Sequence, residues 1–384
     1  MTAHVPRLKA RVLTVFLLVG LPMLAVGVGL VLAIGRAQLS NQFGRHLQDV
    51  AQQTAAGVDA YMSRRLVDVA LLGRTSVVRS VAQAGSAMPF DRTKAVTADE
   101  AWQKEALGNP AAKFLADIVA HDAMAGYREL VLTDRFGRVV AASSLPSSPF
   151  YGDADWWKAV TEESGRARVT MSDVRWDERA RTHTIAFSVP VPSPDSEKLA
   201  GVLSVVADSR ELLAMIGGVQ LGATGEAVLL RDNGSIVFSR RGSDPNARFF
   251  ALDTLKQSAE RLRLGGPDTG AYFRAVVPSD NSPWLVGLAA SQLGRTYPNA
   301  SWIVAVTQSE AEVLGPVNRL GWYLFAVFAI VAFVILAAAL YISMKQAEPG
   351  VDVDMHLVQH PGVAHVGEVE ADEDTDVQPA GIRR

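Results

Sequence analysis

The chain has 384 residues, of which 49% are hydrophobic and 20% are charged, so it carries enough apolar material for a folded core. It contains no cysteine, which excludes disulfides, thiolate catalysis, cysteine-ligated zinc, iron–sulfur clusters and lipid attachment through cysteine. The formal net charge of −3 at pH 7 shows no surplus of lysine and arginine, so we expect no binding to nucleic acid.

The first predicted element is an uncharged apolar run, Val12–Ile34, which is longer than the roughly 20 residues needed to cross a bilayer. We interpret it as a transmembrane helix over residues 12–34. The alternative is a cleaved signal peptide. Its apolar region would span only about 7–15 residues and end at a small-residue site, which Ala33-Ile34-Gly35 matches poorly.

Residues 36–96 come next and show apolar residues at helical spacing, with no proline before Pro89. The pattern predicts a long stalk helix that leaves the membrane. Because the apolar spacing drifts from a strict heptad, we expect this helix to pack against its own domain or a second protomer rather than to form a coiled-coil spacer.

A second helical stretch, Ala98–His121, is followed by short β-rich runs separated by turn residues. Two similar units are predicted in tandem, each with a hairpin, a helix and further strands, which favours an α+β fold class with two lobes, residues 97–216 and 217–319. The first unit comprises the hairpin strands Arg128–Thr133 and Arg138–Ala142 joined at Gly137, the helix Asp153–Glu163, and strands at Arg168–Ser172, Thr182–Val191 and Leu199–Ala207. The second comprises the hairpin strands Glu226–Arg231 and Ser235–Ser239, the helix Phe249–Arg263, and strands at Ala271–Val277, Trp284–Ala289 and Ser301–Thr307.

A second uncharged run, Leu320–Met344, predicts another transmembrane helix over residues 320–344, with aromatic residues near both ends. Basic residues flank the outer ends of both spans, so we expect the termini, residues 1–11 and 345–384, in the cytoplasm and residues 36–319 outside the cell membrane. The C-terminal tail holds nine acidic residues against three basic ones, which is typical of a disordered segment. The flanking basic residues are Arg7, Lys9, Arg11 and Lys345.

Several segments in this order resemble bacterial double-Cache sensor domains: LVLTDRFGRVVAASS, DADWWKAV, LAGVLSVVADSRELLAMI, GEAVLLRDNGSIVFSR and WIVAVTQSEAEVLGPVNRL. The resemblance covers roughly residues 39–319. It implies two tandem PAS-like lobes on a long N-terminal helix, with the first lobe distal to the membrane and the second proximal. It also implies an extracytoplasmic ligand-sensing module like those of chemoreceptors, sensor kinases and cyclic-dinucleotide enzymes.

The resemblance also implies where a ligand binds. Amino-acid-binding members hold the ligand carboxylate with an arginine placed two residues before an aromatic pair, and the amine with an aspartate further along. In this sequence the arginine position is Ala154, the pair is Trp156-Trp157 and the aspartate is Asp173. The carboxylate clamp is therefore missing while the aromatic wall and the acid are present, so the implied ligand is a small molecule with an amine or another cationic group.

The ligand-binding residues implied in this way are Tyr151, Trp156, Asp173 and Phe187 in the distal lobe. Each has an alternative structural role that the sequence leaves open. Trp156 and Trp157 could fill the core beneath their helix, Tyr151 could lie on a surface loop, Phe187 could be a core residue of its strand, and Asp173 could cap a turn or pair with Arg175 or Arg179.

No nucleophile elbow, zinc-protease or phosphate-loop motif occurs outside the predicted spans, so we expect no enzyme activity, no catalytic residues, no cofactor and no metal site. Only about forty residues follow Met344, too few for an output domain. The sequence thus favours a membrane-anchored sensor acting as a homodimer or in a complex with a separate signalling protein. The alternative is a structural or assembly membrane protein whose Cache-like region binds another extracytoplasmic protein.

Overall fold

The computed structural model describes residues 19–97, 99–121, 126–161, 168–178, 181–242, 248–251, 270–297 and 300–346. The predicted N-terminal segment, most of the predicted helix Phe249–Arg263 and nearly all of the acidic tail lie outside the described residues. Residues 22–329 form one compact unit. Residues 1–21 and 330–384 belong to a second unit, in which the described residues are helical.

Five α-helices precede the first sheet within the described residues: α1 (Leu21–Gly73), α2 (Ser76–Ala87), α3 (Arg92–Ala95), α4 (Glu100–Gly108) and α5 (Pro110–His121). The sequence predicts one continuous stalk helix over residues 36–96. In the structure this region is divided, because α1 ends at Gly73 and a separate helix, α2, begins at Ser76. At Gly73 the backbone lies so close to the distal sheet that a Cβ would sit 3.0 Å from Val189 Cγ2. The predicted helix over residues 98–121 is likewise divided. The Asn109 side chain accepts a hydrogen bond from Ala112 N at 2.9 Å and so caps α5, which begins at Pro110.

The first lobe, called the distal lobe after the position that the family resemblance implies, contains an antiparallel sheet of six strands in the order β2-β1-β6-β5-β3, with β4 also paired to β5. Its turn between β1 and β2 has Gly137 at φ +94°, as the hairpin pattern predicts. The elements are β1 (Tyr127–Asp134), β2 (Val139–Ala142), α6 (Asp155–Thr161), β3 (Thr170–Met171), β4 (Arg175–Asp177), β5 (Thr182–Pro192) and β6 (Leu199–Asp208), followed by α7 (Arg210–Gly217).

The proximal lobe repeats this plan with a second six-stranded antiparallel sheet in the order β10-β11-β12-β8-β7, with β9 paired to β8. The two sheets confirm the α+β fold class with tandem lobes. The elements are β7 (Gln220–Leu221), β8 (Gly225–Arg231), β9 (Ile236–Ser239), β10 (Gly270–Val277), β11 (Ser282–Ala290), a short 3-10 helix (Gln292–Arg295), β12 (Trp302–Ser309), α8 (Glu310–Val313) and α9 (Gly315–Gln346).

One face of α1 is buried and packs against both sheets within a single hydrophobic cluster. Its buried residues follow the three- and four-residue spacing of a helix face. From the distal sheet the cluster takes alternate residues such as Ile185, Phe187 and Val189, and from the proximal sheet it takes Leu229 and Val304. The helix is therefore a common spine for the two lobes. The buried apolar side chains of α1 are Leu47, Ala51, Ala55, Val58, Met62, Leu66 and Val69.

Helix α1 approaches the proximal sheet closely at Gly287 in β11. A Cβ at this position would overlap the backbone of Leu47 and Gln48, so only glycine lets the strand lie against the helix backbone. Asp59 of α1 adds a polar tie, because its carboxylate accepts hydrogen bonds from Ser291 Oγ at 2.5 Å and Gln292 N at 2.8 Å. The proximal lobe and this part of α1 thus pack as one body.

Two described helical segments are long and apolar enough to cross a membrane, Pro22–Gly73 within α1 and Gly315–Ala338 within α9. They correspond to the two predicted spans, although the first part of the run Val12–Ile34 lies outside the described residues. Their large apolar side chains, such as Val26, Leu30 and Phe333, are exposed. Lipid would cover such surfaces in a membrane.

A buried carboxylate, Asp208, joins the end of β6 to the elements around it. It accepts hydrogen bonds from Arg128 Nη2 at 2.7 Å, from Arg210 Nε at 2.7 Å and from Thr182 Oγ1 at 3.2 Å. Burial of the carboxyl opposes its ionisation, but the hydrogen bonds from the two arginines outweigh burial and hold the pKa of Asp208 below its usual value of 3.8.

We expect Asp208→Asn to lower the free energy of unfolding at pH 7 by about 1–3 kcal/mol, because the hydrogen bonds from two arginines to a charged group are weakened. Since the native pKa lies below the unfolded one, the stabilisation is present above the usual value of 3.8 and is lost as the pH falls through the native value. The difference between wild type and variant should therefore shrink below about pH 4. Chemical denaturation of the full chain in detergent, followed by tryptophan fluorescence, measures both effects.

Asp195→Asn is the matched control, because Asp195 is exposed in the connection between β5 and β6. It should change the free energy of unfolding by less than about 0.5 kcal/mol. An equal loss in the two variants would contradict the structural role of Asp208.

Candidate ligand-binding site

The face of the distal sheet that points away from α1 borders a cavity of about 1020 Å³. Side chains alternate along a strand, so burying Ile185 and Phe187 of β5 against α1 turns their neighbours to the other face. Thr184, Ala186 and Ser188 accordingly line the cavity. These are small or polar side chains, which leave space where larger ones would fill it.

Helix α6 forms the wall opposite the sheet and contributes Asp155, Trp156 and Ala159 to the cavity lining. The two tryptophans of this helix have different surroundings. Trp157 Nε1 donates a hydrogen bond to Thr133 Oγ1 of β1 at 3.1 Å, which attaches the helix to the sheet. Trp156 packs instead against Tyr151, with ring centroids 5.3 Å apart, and reaches the cavity.

Asp173 lies at the floor of the cavity in the segment between β3 and β4. Ser172 sets its position, because Ser172 N donates to Ala186 O at 2.8 Å and so extends the pairing with β5. The Asp173 Oδ1 atom accepts hydrogen bonds from Val174 N at 2.8 Å and Trp302 Nε1 at 3.0 Å. Its Oδ2 atom accepts a hydrogen bond from Arg231 Nε.

The proximal lobe closes one side of the cavity with Arg231, Asp232, Ser301 and Trp302. Arg231 and Trp302 are paired directly across β8 and β12, so their side chains lie on the same face of the proximal sheet. Both side chains reach Asp173 of the other lobe. The site is therefore built from two lobes, and one carboxylate of the distal lobe holds two donors of the proximal lobe.

Acidic residues outnumber basic ones among the described residues that line the cavity, six to two. Three tryptophans also line it: Trp156, Trp176 and Trp302. Such a combination of carboxylates and aromatic faces suits a ligand with an amine or another organic cation. The acidic residues are Glu129, Asp155, Asp173, Asp177, Glu178 and Asp232, and the basic residues are Arg175 and Arg231.

His183 lies beside this lining and packs edge-on against Trp176, with ring centroids 5.0 Å apart. Burial lowers the pKa of His183 below its usual value of 6.5, and the nearby Asp208 carboxylate opposes this effect only in part. The imidazole is therefore neutral at pH 7 and adds no positive charge beside the cavity. Among the described residues, no group of three histidine or acidic side chains is placed to hold a metal ion.

The structure brings two of the four expected ligand-binding residues, Trp156 and Asp173, into the cavity lining. Tyr151 contacts Trp156 and is hydrogen-bonded to Ser147 Oγ at 2.9 Å, but it does not line the cavity itself. Phe187 is fully buried in the core on the α1 side of the sheet. Strand alternation turns it away from the cavity, so Phe187 does not line it.

The ion-pair partner of Asp173 also differs from Arg175 and Arg179, the two arginines that the sequence suggested. Arg175 lines the cavity, while the ion pair with Asp173 is made by Arg231. Arg179 lies outside the described residues. Arg231 stands at the end of β8, immediately before a predicted tight turn, and that position alone gives no signal of contact with the other lobe.

Comparison with known proteins identifies one family, described as Cache domain, whose profile matches residues 35–317. This match confirms the resemblance found in the sequence. No curated protein matches the chain.

Solved structures with a similar fold have low sequence identity to this chain. The ligand-binding domain of the Campylobacter jejuni chemoreceptor Tlp3 in complex with L-valine is 15% identical, with a TM-score of 0.44 over 73% of this chain and 97% of that chain. The ligand-binding domain of the Pseudomonas aeruginosa PAO1 amino acid chemoreceptor PctC in complex with GABA is 17% identical, with a TM-score of 0.44 over 69% of this chain and 100% of that chain.

The different surroundings of the two tryptophans in α6 generate a prediction. We expect Trp157→Phe to lower the free energy of unfolding by about 1 kcal/mol, because the variant keeps the ring but loses the hydrogen bond to Thr133. Trp156→Phe keeps a ring beside Tyr151 and should cost less. Thermal unfolding of the detergent-solubilised chain compares them, and a larger loss for Trp156→Phe would contradict the assignment of Trp157 as the structural member of the pair.

Proposed function

Because the chain belongs to the Cache domain family, we propose that it is a membrane-anchored extracytoplasmic sensor. It binds a small molecule with an amine or another organic cation in the distal-lobe cavity and signals through a separate partner protein. The observation that carries the proposal is the cavity of about 1020 Å³ between the outer face of the distal sheet and α6. A cavity of this volume matches the upper end of the range for small-molecule sites, about 300–1,000 Å³.

The residues around the cavity support a cationic ligand. Asp173 offers a carboxylate to an ammonium group, and Trp156 offers an aromatic face on which a cation is stabilised. The surplus of acidic residues over Arg175 and Arg231 favours positive charge throughout the cavity. Since Ala154 stands where amino-acid-binding relatives carry an arginine, an α-amino carboxylate is not the favoured ligand.

The chain is proposed to act without catalysis and to pass its signal along the polypeptide. Strand β12 begins at Trp302, beside Asp173, and ends at Ser309, where α8 and then the apolar helix α9 follow. A change at the cavity thus has a short covalent route to a candidate membrane span. The partner is either a second copy of the chain or a different signalling protein, reached through the spans or through the tail.

The cation site is tested with pairs of compounds that differ in charge and little in shape. We expect putrescine to raise the unfolding temperature of the full chain in lipid nanodiscs more than 1,4-butanediol, and ethanolamine to do so more than ethylene glycol, since a ligand that binds only the folded state stabilises it. Asp173→Asn should weaken binding by about 1.5–3 kcal/mol, as for a lost hydrogen bond to a charged group.

Asp117→Asn is the charge-matched control for this experiment, because Asp117 is exposed on α5 and does not line the cavity. It should leave the response to putrescine unchanged. If amines and their neutral counterparts have equal effects on wild type, the cation assignment is wrong. If no small molecule in a wider metabolite screen stabilises the chain, a protein-binding structural role is favoured instead.

The proposed orientation is tested by cysteine labelling, which has no background because the native chain has no cysteine. We expect a membrane-impermeant maleimide to label Ser196→Cys in intact cells, since Ser196 is exposed in the distal lobe. Ala380→Cys in the tail should react only after the membrane is permeabilised. Labelling of the tail cysteine in intact cells, with Ser196→Cys protected, would reverse the topology.

A further inference from the structure

Asp173 is the point where the two lobes are joined by charge. Its Oδ2 atom accepts a hydrogen bond from Arg231 Nε of the proximal lobe, and its Oδ1 atom accepts one from Trp302 Nε1 of the same lobe. The same carboxylate lines the cavity in which the ligand is proposed to bind. One side chain therefore serves both the ligand site and the contact between lobes.

The Asp173 carboxylate is occupied as the structure stands. Val174 N and Trp302 Nε1 both donate to Oδ1, and the positive charge of Arg231 compensates the negative charge at Oδ2. A ligand ammonium group that approached Oδ2 would meet the guanidinium at short range and be repelled. Full use of Asp173 by a cationic ligand thus requires Arg231 to move away.

Arg231 is placed so that it can leave this position. Its side chain is 32% exposed and that of Asp173 is 20% exposed, so water reaches both partners and their separation does not strand a buried charge. Arg231 Nη1 also donates a hydrogen bond to Ser235 Oγ at 3.1 Å, a contact within its own hairpin. Trp302, which is almost fully buried, has no comparable freedom.

We propose that Arg231 is an internal competitor for the cation site at Asp173, so that ligand binding and the ion pair between the lobes exclude each other. The inference rests on the proposed function, because it concerns the same cavity and a cationic ligand. Binding of the cation releases Arg231 from Asp173. Of the two proximal-lobe side chains bonded to Asp173, only Trp302 then keeps its contact. Arg231 thereby sets the affinity of the site and couples its occupancy to the contact between lobes.

The competition is tested by titrating putrescine into the full chain in nanodiscs by calorimetry. We expect Arg231→Gln to raise the affinity about tenfold. Arg175→Gln is the matched control, because Arg175 also lines the cavity but does not pair with Asp173. It removes the same charge and should raise the affinity only about twofold, through long-range attraction alone.

Two further variants separate the contact from the charge. Arg231→Lys keeps the charge but loses the guanidinium. Competition therefore predicts an affinity for putrescine between that of wild type and that of Arg231→Gln. In the Asp173→Asn background, Arg231→Gln should give no more gain than Arg175→Gln. Size-exclusion profiles establish whether each variant is folded. If Arg231→Gln is not folded, the affinity of Arg231→Lys tests the competition instead.

A measurement without ligand follows the contact between the lobes itself. Spin labels on Ser196→Cys in the distal lobe and Arg240→Cys in the proximal lobe, both exposed positions, report the interlobe distance by pulsed electron resonance. The reference is the distance distribution of wild type without ligand. We expect Arg231→Gln without ligand and wild type with putrescine to differ from this reference in the same way. Identical distributions in all three samples would overturn the proposal.

The outcomes separate the inference from the function on which it rests. Equal affinity gains for Arg231→Gln and Arg175→Gln, with putrescine bound by wild type, would leave the cation site standing and overturn the competition alone. Absence of putrescine binding in every folded variant would overturn both. A selective gain for Arg231→Gln that disappears with Asp173→Asn supports both.

Discussion

One apolar face on a single helix determines how the rest of this molecule is arranged. The buried residues of α1, from Leu47 to Val69, pack against both sheets, so each sheet commits one face to the helix. Strand alternation then fixes which side chains remain for the other face. In the distal lobe that face carries Thr184, Ala186 and Ser188, and the cavity exists because these side chains are small. The candidate ligand site is thus a consequence of how the core is packed.

The fold could be predicted from the sequence because its signals are local. Apolar alternation and tight turns placed most strands within a few residues of their observed bounds, and Gly137 adopts the positive φ that its turn predicts. The end of α1 at Gly73 was missed, and the contact of this position with Val189, on a sheet remote in sequence, is one that periodicity does not report. The position of Phe187 on the α1 side of its strand could not be predicted for a related reason: periodicity reveals that a strand has two faces, but not which of them α1 covers.

The charge contact at the site could not be found from the sequence. Arg175 and Arg179 were considered as partners of Asp173 because they are close in the chain, yet the observed partner, Arg231, is 58 residues away on another lobe. The pairing depends on the register of β8 with β12, which sets Arg231 beside Trp302. A partly exposed ion pair of this kind contributes little to stability. It is therefore well suited to be exchanged for another contact at low energetic cost.

The glycine contact between α1 and β11 bears on how chimeric receptors could be made from this chain. Because the backbone of Gly287 touches the backbone of Leu47 and Gln48, a proximal sheet transplanted from a relative with any larger residue at that position would not seat on this helix. The unit to exchange is then discontinuous in sequence, because the part of α1 around Leu47 and Gln48 must be transferred together with β8 to β12. The first lobe is inserted between these two segments, and a replacement for it would have to supply a new partner for Arg231 and Trp302 in place of Asp173.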